Sequence, residues 1–178
     1  GVQEGWAYDL GDPEFLETIE EPSEKGVEEK DFDYYWINSR EDVDNFANYV
    51  GSQNQVISGM FPGDGETVRL TNPNYARNLF IFNDSEEPVK LELDCCENQG
   101  LERLVVGHID VEENSEGFGQ GNFILDNLDG LAGCADLKEL YLNNIEIKDR
   151  SALAGFDKLE ALELNGELIS DIAALVSR

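Results

Sequence analysis

The apolar residues of segment 36–51, WINSREDVDNFANYVG, recur at the spacing of one helix face. Ser39 precedes this apolar stripe and is a good N-cap, and Gly51 follows it as a natural helix stop. The pattern therefore predicts a helix over residues 39–50 that packs on a neighbouring element through this face. The stripe, at positions i, i+3, i+4 and i+7, consists of Val43, Phe46, Ala47 and Val50.

Short apolar runs replace the helical spacing from residue 56 onward. Most of them alternate apolar with polar residues, and Gly, Pro, Asn or Asp separates one run from the next, which is typical of β-strands and turns. Segment 113–122, ENSEGFGQGN, has the composition of an inserted surface loop. The predicted strands are residues 56–61, 67–70, 78–82, 89–93, 103–111 and 122–125.

One sequence pattern occurs twice near the end of the chain. LKELYLNNIEIKD, residues 137–149, returns 22 residues later as LEALELNGELISD, residues 159–171. A unit of this size cannot bury its own apolar face, so a fixed period predicts that like units stack along one axis. Leu140 and Leu162 should then be neighbours on adjacent parallel strands. Further aligned pairs are Leu137 with Leu159, Leu142 with Leu164, Ile147 with Ile169, Leu125 with Ile147, Asn127 with Asp149, Leu131 with Leu153, and Cys134 with Phe156.

The repeated Leu-x-x-Leu-x-Leu unit resembles the 22-residue class of bacterial leucine-rich repeats, as found in internalin-like surface proteins. The likeness is good over residues 125–178 and loose over 101–124. It implies an α/β fold in which parallel strands form a short leucine-rich repeat solenoid. The family usually places Asn at the ninth position of the unit, but Ile145 and Glu167 stand there, so we expect the usual asparagine ladder to be missing.

A second likeness concerns the segment before the repeats. Its pattern is similar to the segments that introduce repeat regions in exported bacterial proteins, which implies an N-terminal cap made of a helix and strands. The predicted organisation is an acidic arm at 1–33, a capping region at 34–100 that contains helix 39–50, and leucine-rich repeats at 101–178. The residues that carry this likeness are Trp36, Ile37, Ser39, Glu41, Asp42, Val43, Phe46, Ala47, Tyr49, Val50, Gly65, Val68, Arg69 and Leu70.

The charge of the chain excludes several classes of partner. Lys and Arg total 12 against 39 Asp and Glu, for a formal net charge of −27, which repels phosphate backbones and anionic lipid surfaces. We therefore expect no nucleic acid, and no apolar run is long enough to span a membrane. Residues 1–33 hold twelve acidic residues against Lys25 and Lys30. The arm also contains six large apolar anchors, Trp6, Tyr8, Leu10, Phe15, Leu16 and Ile19.

Candidate chemistry is sparse in this sequence. His108 is the one histidine and has no neighbouring nucleophile, while carboxylates are so frequent that no catalytic pair stands out. Segments 126–130 and 31–33 are acidic but do not match calcium-binding loops. We therefore expect no catalytic residue, metal or cofactor. The cysteines are predicted to be buried free thiols, and the alternative is a disulfide bridge from Cys95, or from its neighbour Cys96, to Cys134.

A binding surface is the remaining functional prediction. If the repeat strands line a concave face, their outward residues suit recognition of a protein partner, and a basic segment would be favoured electrostatically. The alternatives are a carbohydrate-active or carbohydrate-binding protein that uses groove carboxylates, and a structural cap that forms a homodimer through the C-terminal end of the stack. Resemblance implies an extracellular or cell-surface location. The predicted binding residues are Arg103, Val105, Glu139, Tyr141, Asn143, Glu163 and Asn165.

Overall fold

The computed structural model describes residues 32–49, 51–71, 76–94, 100–107, 123–165 and 167–170. Within them the chain forms short strands, one α-helix, α1 (Arg40–Asn45), and three 3-10 helices, Phe46–Asn48, Asp129–Leu131 and Ser151–Gly155. The strands are β1 (Asp33–Ile37), β2 (Asn54–Gly59), β3 (Val68–Thr71), β4 (Asn78–Asn83), β5 (Val89–Asp94), β6 (Arg103–Val106), β7 (Phe123–Leu125), β8 (Glu139–Leu142), β9 (Ile145–Ile147), β10 (Ala161–Leu164) and β11 (Glu167–Leu168).

These strands form two sheets, and the chain passes back and forth between them. The first sheet has the order β1-β2-β4-β6-β8-β10-β11, and the second has the order β3-β5-β7-β9. All the described pairs are parallel except β10 with β11, which is antiparallel. The fold is therefore mixed α/β with parallel-strand sheets and few helices, as the sequence predicts at this level.

The 22-residue offset in the sequence reappears as strand register. Leu140 lies opposite Leu162 on the neighbouring parallel strands β8 and β10, which confirms the pairing predicted from the repeat. In the second sheet, β7 and β9 are in the register expected from the same offset. The turns repeat as well, because Asn127 and Asp149 each accept a hydrogen bond from the backbone N–H two residues on, at 3.0 and 2.9 Å.

Backbone hydrogen bonds repeat where the strands of the first sheet begin. At four successive junctions, one carbonyl accepts two N–H groups from the next strand in the sheet, at distances between 2.7 and 3.1 Å. These bonds hold neighbouring strand starts level, so the strands stay in register although connections of different length join them. The four accepting carbonyls belong to Gln53, Arg77, Glu102 and Lys138.

The main core lies between the two sheets. The first sheet contributes alternate apolar residues of each strand, the second contributes its own alternate residues, and the 3-10 helices add Leu131 and Leu153. This arrangement follows from the two-residue period of a strand, which sends every second side chain to the same side. The residues of the first sheet in this core are Ile37, Ile57, Leu79, Ile81, Leu104, Val106, Leu140, Leu142, Leu162 and Leu164.

The predicted helix is confirmed at its start and wrong at its end. Ser39 is the N-cap, and its hydroxyl accepts the N–H of Asp42 at 3.2 Å. The α-helix ends at Asn45 and one 3-10 turn follows, whereas the sequence pattern extends it to residue 50. Tyr49 has extended backbone angles and packs its ring on Tyr35 and Phe46, so tertiary aromatic contacts end the helix early. Ala47, predicted on the apolar stripe, is exposed.

All six predicted strand segments overlap observed strands, the two strands predicted from the repeat are β8 and β10, and the described residues add three others. Strand β1 contains Trp36 and Ile37, which the sequence pattern had placed at the start of the helical segment. Strands β9 and β11 are three and two residues long, too short for a periodic signal. Strand β4 pairs with β6, so the strands on both sides of the predicted boundary at residues 100 and 101 belong to one sheet.

Asparagine side chains at the ends of two strands bond to the backbone of neighbouring segments. The amide of Asn165 accepts the N–H of Ile145 at 2.9 Å and donates to the carbonyl of the same residue at 3.1 Å. Asn83 similarly accepts the N–H of Phe61 at 3.4 Å. These two asparagines thus fix the chain at the ends of strands β4 and β10.

Some predictions fall on residues outside those described. They concern residues 1–31 of the predicted arm, Val50 of the helix stripe, His108, the insertion at 113–122, and Cys95 with Cys96. Cys134, the third cysteine, is buried in the core.

Gly107, directly after β6, is required by local geometry. Its φ is +87°, and a Cβ atom there would lie 1.9 Å from the carbonyl oxygen of Asn143. A larger residue would therefore force apart the ends of β6 and β8. The glycine fixes how closely these two strands approach at the border of the candidate surface.

Candidate surface of the first sheet

The outer face of the first sheet is the side turned away from the main core, and it carries the predicted binding positions. On this face one row of side chains runs across the strands in register, because each member is the direct pairing partner of the next. The row consists of Tyr34, Val56, Phe80, Val105, Tyr141, Glu163 and Leu168.

Accessibility changes along this row. Val56, Phe80 and Val105 are at most 2% exposed, although they point away from the main core. Tyr141 and Glu163 are half-buried, and Leu168 is 68% exposed. The outer face is therefore accessible at both edges of the sheet: at β1, where Tyr34 and Trp36 are 36% and 53% exposed, and at β8, β10 and β11. We call the second region the C-terminal patch: Glu139, Tyr141, Ala161, Glu163 and Leu168.

The predicted binding residues are divided by this gradient. Arg103, Val105 and Asn143 are buried, at 4%, 2% and 1% exposure, so they do not offer a contact surface in this state. Glu139, Tyr141 and Glu163 share the C-terminal patch. Asn165 is exposed, but its amide is hydrogen-bonded to the backbone of Ile145. The strand register thus brings Arg103 and Val105 beside Glu139 and Tyr141, yet only the latter pair is accessible.

A ladder of polar side chains crosses the outer face at the strand starts. The amide of Asn78 donates to Asn54 at 2.7 Å, and the Arg103 guanidinium donates to Asn78 at 3.1 Å. The other end of the same guanidinium binds the carboxylate of Glu139, which also accepts the Tyr141 hydroxyl at 2.6 Å. Burial leaves the Arg103 and Glu139 side chains only 5% and 12% exposed. The ladder therefore fixes the orientation of Tyr141 through the buried Arg103 and Glu139 side chains.

Sequence reasoning missed the two asparagines of this ladder. Asn54 and Asn78 each begin a strand, as do Arg103 and Glu139. Alignment of the strand starts would have revealed them, because four consecutive strands of this sheet begin with a polar residue. The signal was obscured by unequal spacing, since these residues lie 24, 25 and 36 positions apart.

A second charged group lies one residue earlier along the same strand starts. Glu102 binds Arg77 and also Lys138, the latter at 3.0 Å. Partial burial raises the pKa of Glu102, but the hydrogen bonds and charges of Lys138 and Arg77 outweigh that effect and leave the pKa lowered. The Glu102 hydrogen bond in turn raises the pKa of Lys138. These groups stabilise strand order and are not arranged around a reacting centre.

Comparison with known proteins does not identify a relative. No protein-family model, curated protein or solved structure matches the chain. The functional argument therefore depends on the surface itself.

No group of three or more His, Cys, Asp or Glu side chains among the described residues could hold a metal ion. The hydrogen bonds from Arg40 and Lys158 lower the pKa of Asp64 and Asp136, and the Ser151 N–H lowers that of Asp149. A general acid needs the opposite shift.

A shallow groove of about 190 Å³ lies on the second sheet, lined by Lys90, Glu92, Ile124, Asp126 and other residues. It is open and mixed in polarity, and its size suits a small polar group.

In the part of the chain that the structure covers, no helix is both long enough and apolar enough to cross a bilayer.

Proposed function

We propose that this protein is a non-enzymatic protein-binding or scaffolding module that recognises its partner through the C-terminal patch. The observation that carries the proposal is the row Tyr141, Glu163 and Leu168, which joins an aromatic ring, a carboxylate and an exposed leucine on three neighbouring strands. Aromatic and apolar anchors supply most of the binding energy at interfaces, and charged neighbours supply selectivity.

The proposed architecture behind this surface is a short leucine-rich repeat solenoid with an N-terminal helix-plus-strand cap. The regular alternation between two parallel sheets and the recurring 22-residue register support it. In such a stack each coil presents one strand to the same face. Adjacent coils thereby create a broad surface from side chains that are distant in sequence.

A basic polypeptide segment is the ligand class that this patch favours. Glu163 is half-buried beside Tyr141, and the net charge of −27 creates a field that attracts cations over a wide area. The Glu139 carboxylate is already bound by Arg103 and Tyr141, so Glu163 is the carboxylate better placed to receive a Lys or Arg of a ligand.

Selection from a random peptide library on the intact protein tests this proposal. We expect enriched peptides to contain Lys or Arg next to an apolar residue, and to lose binding to Tyr141→Ala and to Glu163→Lys. Glu146→Lys is the matched control, since it makes the same charge change at an exposed position of the second sheet. Peptides that bind all three variants equally would contradict a site at the C-terminal patch.

The homodimer alternative has a specific observation in its favour. Leu168 is 68% exposed on the last described strand of the first sheet, and a second copy could cover it. Light scattering of wild type and Leu168→Glu distinguishes a homodimer from a module that binds a different protein. A wild-type dimer that the substitution dissociates supports the homodimer, and a monomer in both cases contradicts it.

The proposed extracellular or cell-surface location follows from the resemblance to bacterial repeat proteins. Detection of the native protein in culture medium or on intact cells by a specific antibody would support it. Recovery in the cytosolic fraction alone would contradict it.

A further inference from the structure

The outer face of the first sheet carries an apolar cluster that is separate from the main core. Val56, Phe80, Phe82 and Val105 are between 0% and 2% exposed, yet they alternate along their strands with residues of the main core and do not belong to it. An apolar group that points away from the core of a sheet is normally exposed unless another segment covers it. We call these four residues the outer apolar cluster.

Among the described residues outside the seven strands, Phe32 alone makes a ring contact with this cluster, edge to face on Phe80 at 5.8 Å. Helix α1 packs on β1 and β3, and its buried residue belongs to the main core. Tyr34, Phe80, Phe82, Arg103 and Tyr141, all on this face, take part in further interactions beyond those named above.

Phe32 indicates where the covering segment comes from. It is 5% exposed, lies on the outer face, and directly precedes β1 at the edge of the sheet. The segment that precedes Phe32 is therefore joined to the sheet directly beside the outer apolar cluster. We propose that residues 1–31 of the acidic N-terminal arm fold back over the outer face of their own chain and cover this cluster.

The length and composition of the arm suit this position. Neighbouring strands lie about 4.8 Å apart, so the path from β1 to β6 is roughly 15 Å, and an extended chain covers that with about five residues. The arm has 31 residues and six large apolar side chains, among them Trp6, Phe15 and Leu16. Its docking is apolar, because the arm and the rest of the chain are both acidic. Screening of their repulsion by salt should therefore tighten it.

This cover would divide the outer face into two parts with different roles. The arm occupies β2, β4 and β6, and the C-terminal patch remains for a partner. Release of the arm would uncover a second, apolar surface adjoining that patch. The inference depends on the buried cluster and not on the proposed function, so either could fail without the other.

Tryptophan fluorescence of the full chain tests the proposal. The chain has two tryptophans, and Trp36 is 53% exposed, so Trp36→Phe leaves Trp6 as the only reporter without disturbing the core. We expect the Trp6 emission to be blue-shifted and its acrylamide quenching several-fold weaker than in urea. We also expect the protection to rise with salt and to be independent of protein concentration.

Two sets of substitutions then locate the contact. Phe15→Ser with Leu16→Ser and Ile19→Ser, in the arm, should expose Trp6 and raise the binding of a hydrophobic dye several-fold. Glu17→Ser with Glu20→Ser and Glu21→Ser is the matched arm control and should do neither.

On the sheet, Val56→Thr with Val105→Thr keeps side-chain shape and should also release Trp6. Ile124→Thr, half-buried outside the core on the second sheet, should not.

Several results would overturn the proposal. Quenching of Trp6 as strong as in urea would show that the arm does not cover the cluster. Protection that disappears on dilution would assign the cover to the arm of a second copy. Protection that survives Val56→Thr with Val105→Thr would place the arm elsewhere. Circular dichroism of each variant verifies that the sheets are intact, so that release is not confused with unfolding.

Discussion

The centre and the C-terminal side of the outer face differ in the residues that the same strand geometry presents. On β4 the outward residues Phe80 and Phe82 are apolar and buried, whereas on β8 the outward residues Glu139 and Tyr141 are polar or amphipathic and only partly buried. The inward residues are alike, since both strands contribute aliphatic side chains to the main core. The two strands thus share the inward residues that hold the sheets together, and the outward positions determine whether a strand is covered or open.

Truncation at the centre of the buried part should have the largest effect. Phe80→Ala removes a ring in contact with Phe32 and Phe82, and we expect it to lower the free energy of unfolding by roughly 3 to 5 kcal/mol. Tyr141→Ala, at the equivalent position of β8, should cost about 1 to 2 kcal/mol, because this side chain is only half-buried. Urea titration of both variants measures the difference. Equal losses of unfolding free energy would show that Phe80 and Tyr141 do not differ in packing.

Arg103, on β6, links the centre of the outer face to its C-terminal side. Its removal should lower the free energy of unfolding nearly as much as Phe80→Ala. Arg103→Met leaves the carboxylate of Glu139 buried without its cation, which should cost about 3 kcal/mol. The double variant Arg103→Met with Glu139→Leu removes both charges and should recover most of that loss. Thermal unfolding of the single and double variants measures the coupling. No recovery in the double variant would show that packing of the Arg103 stem, not charge, is what matters.

Glu102, which directly precedes β6, makes a smaller, pH-dependent contribution to stability. Its pKa is lowered in the folded protein, so its contribution to stability is present above the unfolded value of about 4.5 and is lost as pH falls through the folded value. We expect Glu102→Gln to be less stable than wild type by up to about 1 kcal/mol at neutral pH. The two proteins should converge in acid. Glu146→Gln, at an exposed position, is the control and should remain parallel to wild type in urea titrations across this range.

Substitution at the open end should have the smallest effect on stability. Leu168 is 68% exposed, so Leu168→Ser should change the free energy of unfolding by less than about 0.5 kcal/mol. The same substitution should lower the affinity of any partner that binds the C-terminal patch. A large loss of stability at this residue, in the same urea assay, would mean that the open end is covered after all.

The sequence predicts the repeat well because leucine spacing is a direct record of the core. Leu140 and Leu162 occupy paired positions as the 22-residue offset requires, and Asn127 and Asp149 make the same turn bond. Helix α1 is predicted at its N-cap because that signal is local. Its early end is not, because the ring of Tyr49 turns inward onto Tyr35, a contact across different elements.

The surface is predicted less well because alternation reveals one buried face and says little about the other. NLFIF, residues 78–82, is apolar at every position after its first residue, which is the pattern of a strand buried on both sides. Interpreted only as one more strand, it does not reveal that Val105, its neighbour on β6, is covered. Arg103 looks like a surface residue by type, and its burial depends on partners from β4 and β8.

The paired backbone bonds at the strand starts have a practical consequence for protein engineering. Strands β4 and β6 begin 25 residues apart, and β6 and β8 begin 36 apart, yet both junctions have the same hydrogen-bond pattern. Spatial alignment is therefore uncoupled from the length of the intervening linker. The predicted surface insertion at residues 113–122, between β6 and β7, is a natural place to graft a foreign epitope or reporter peptide while leaving the scaffold undisturbed.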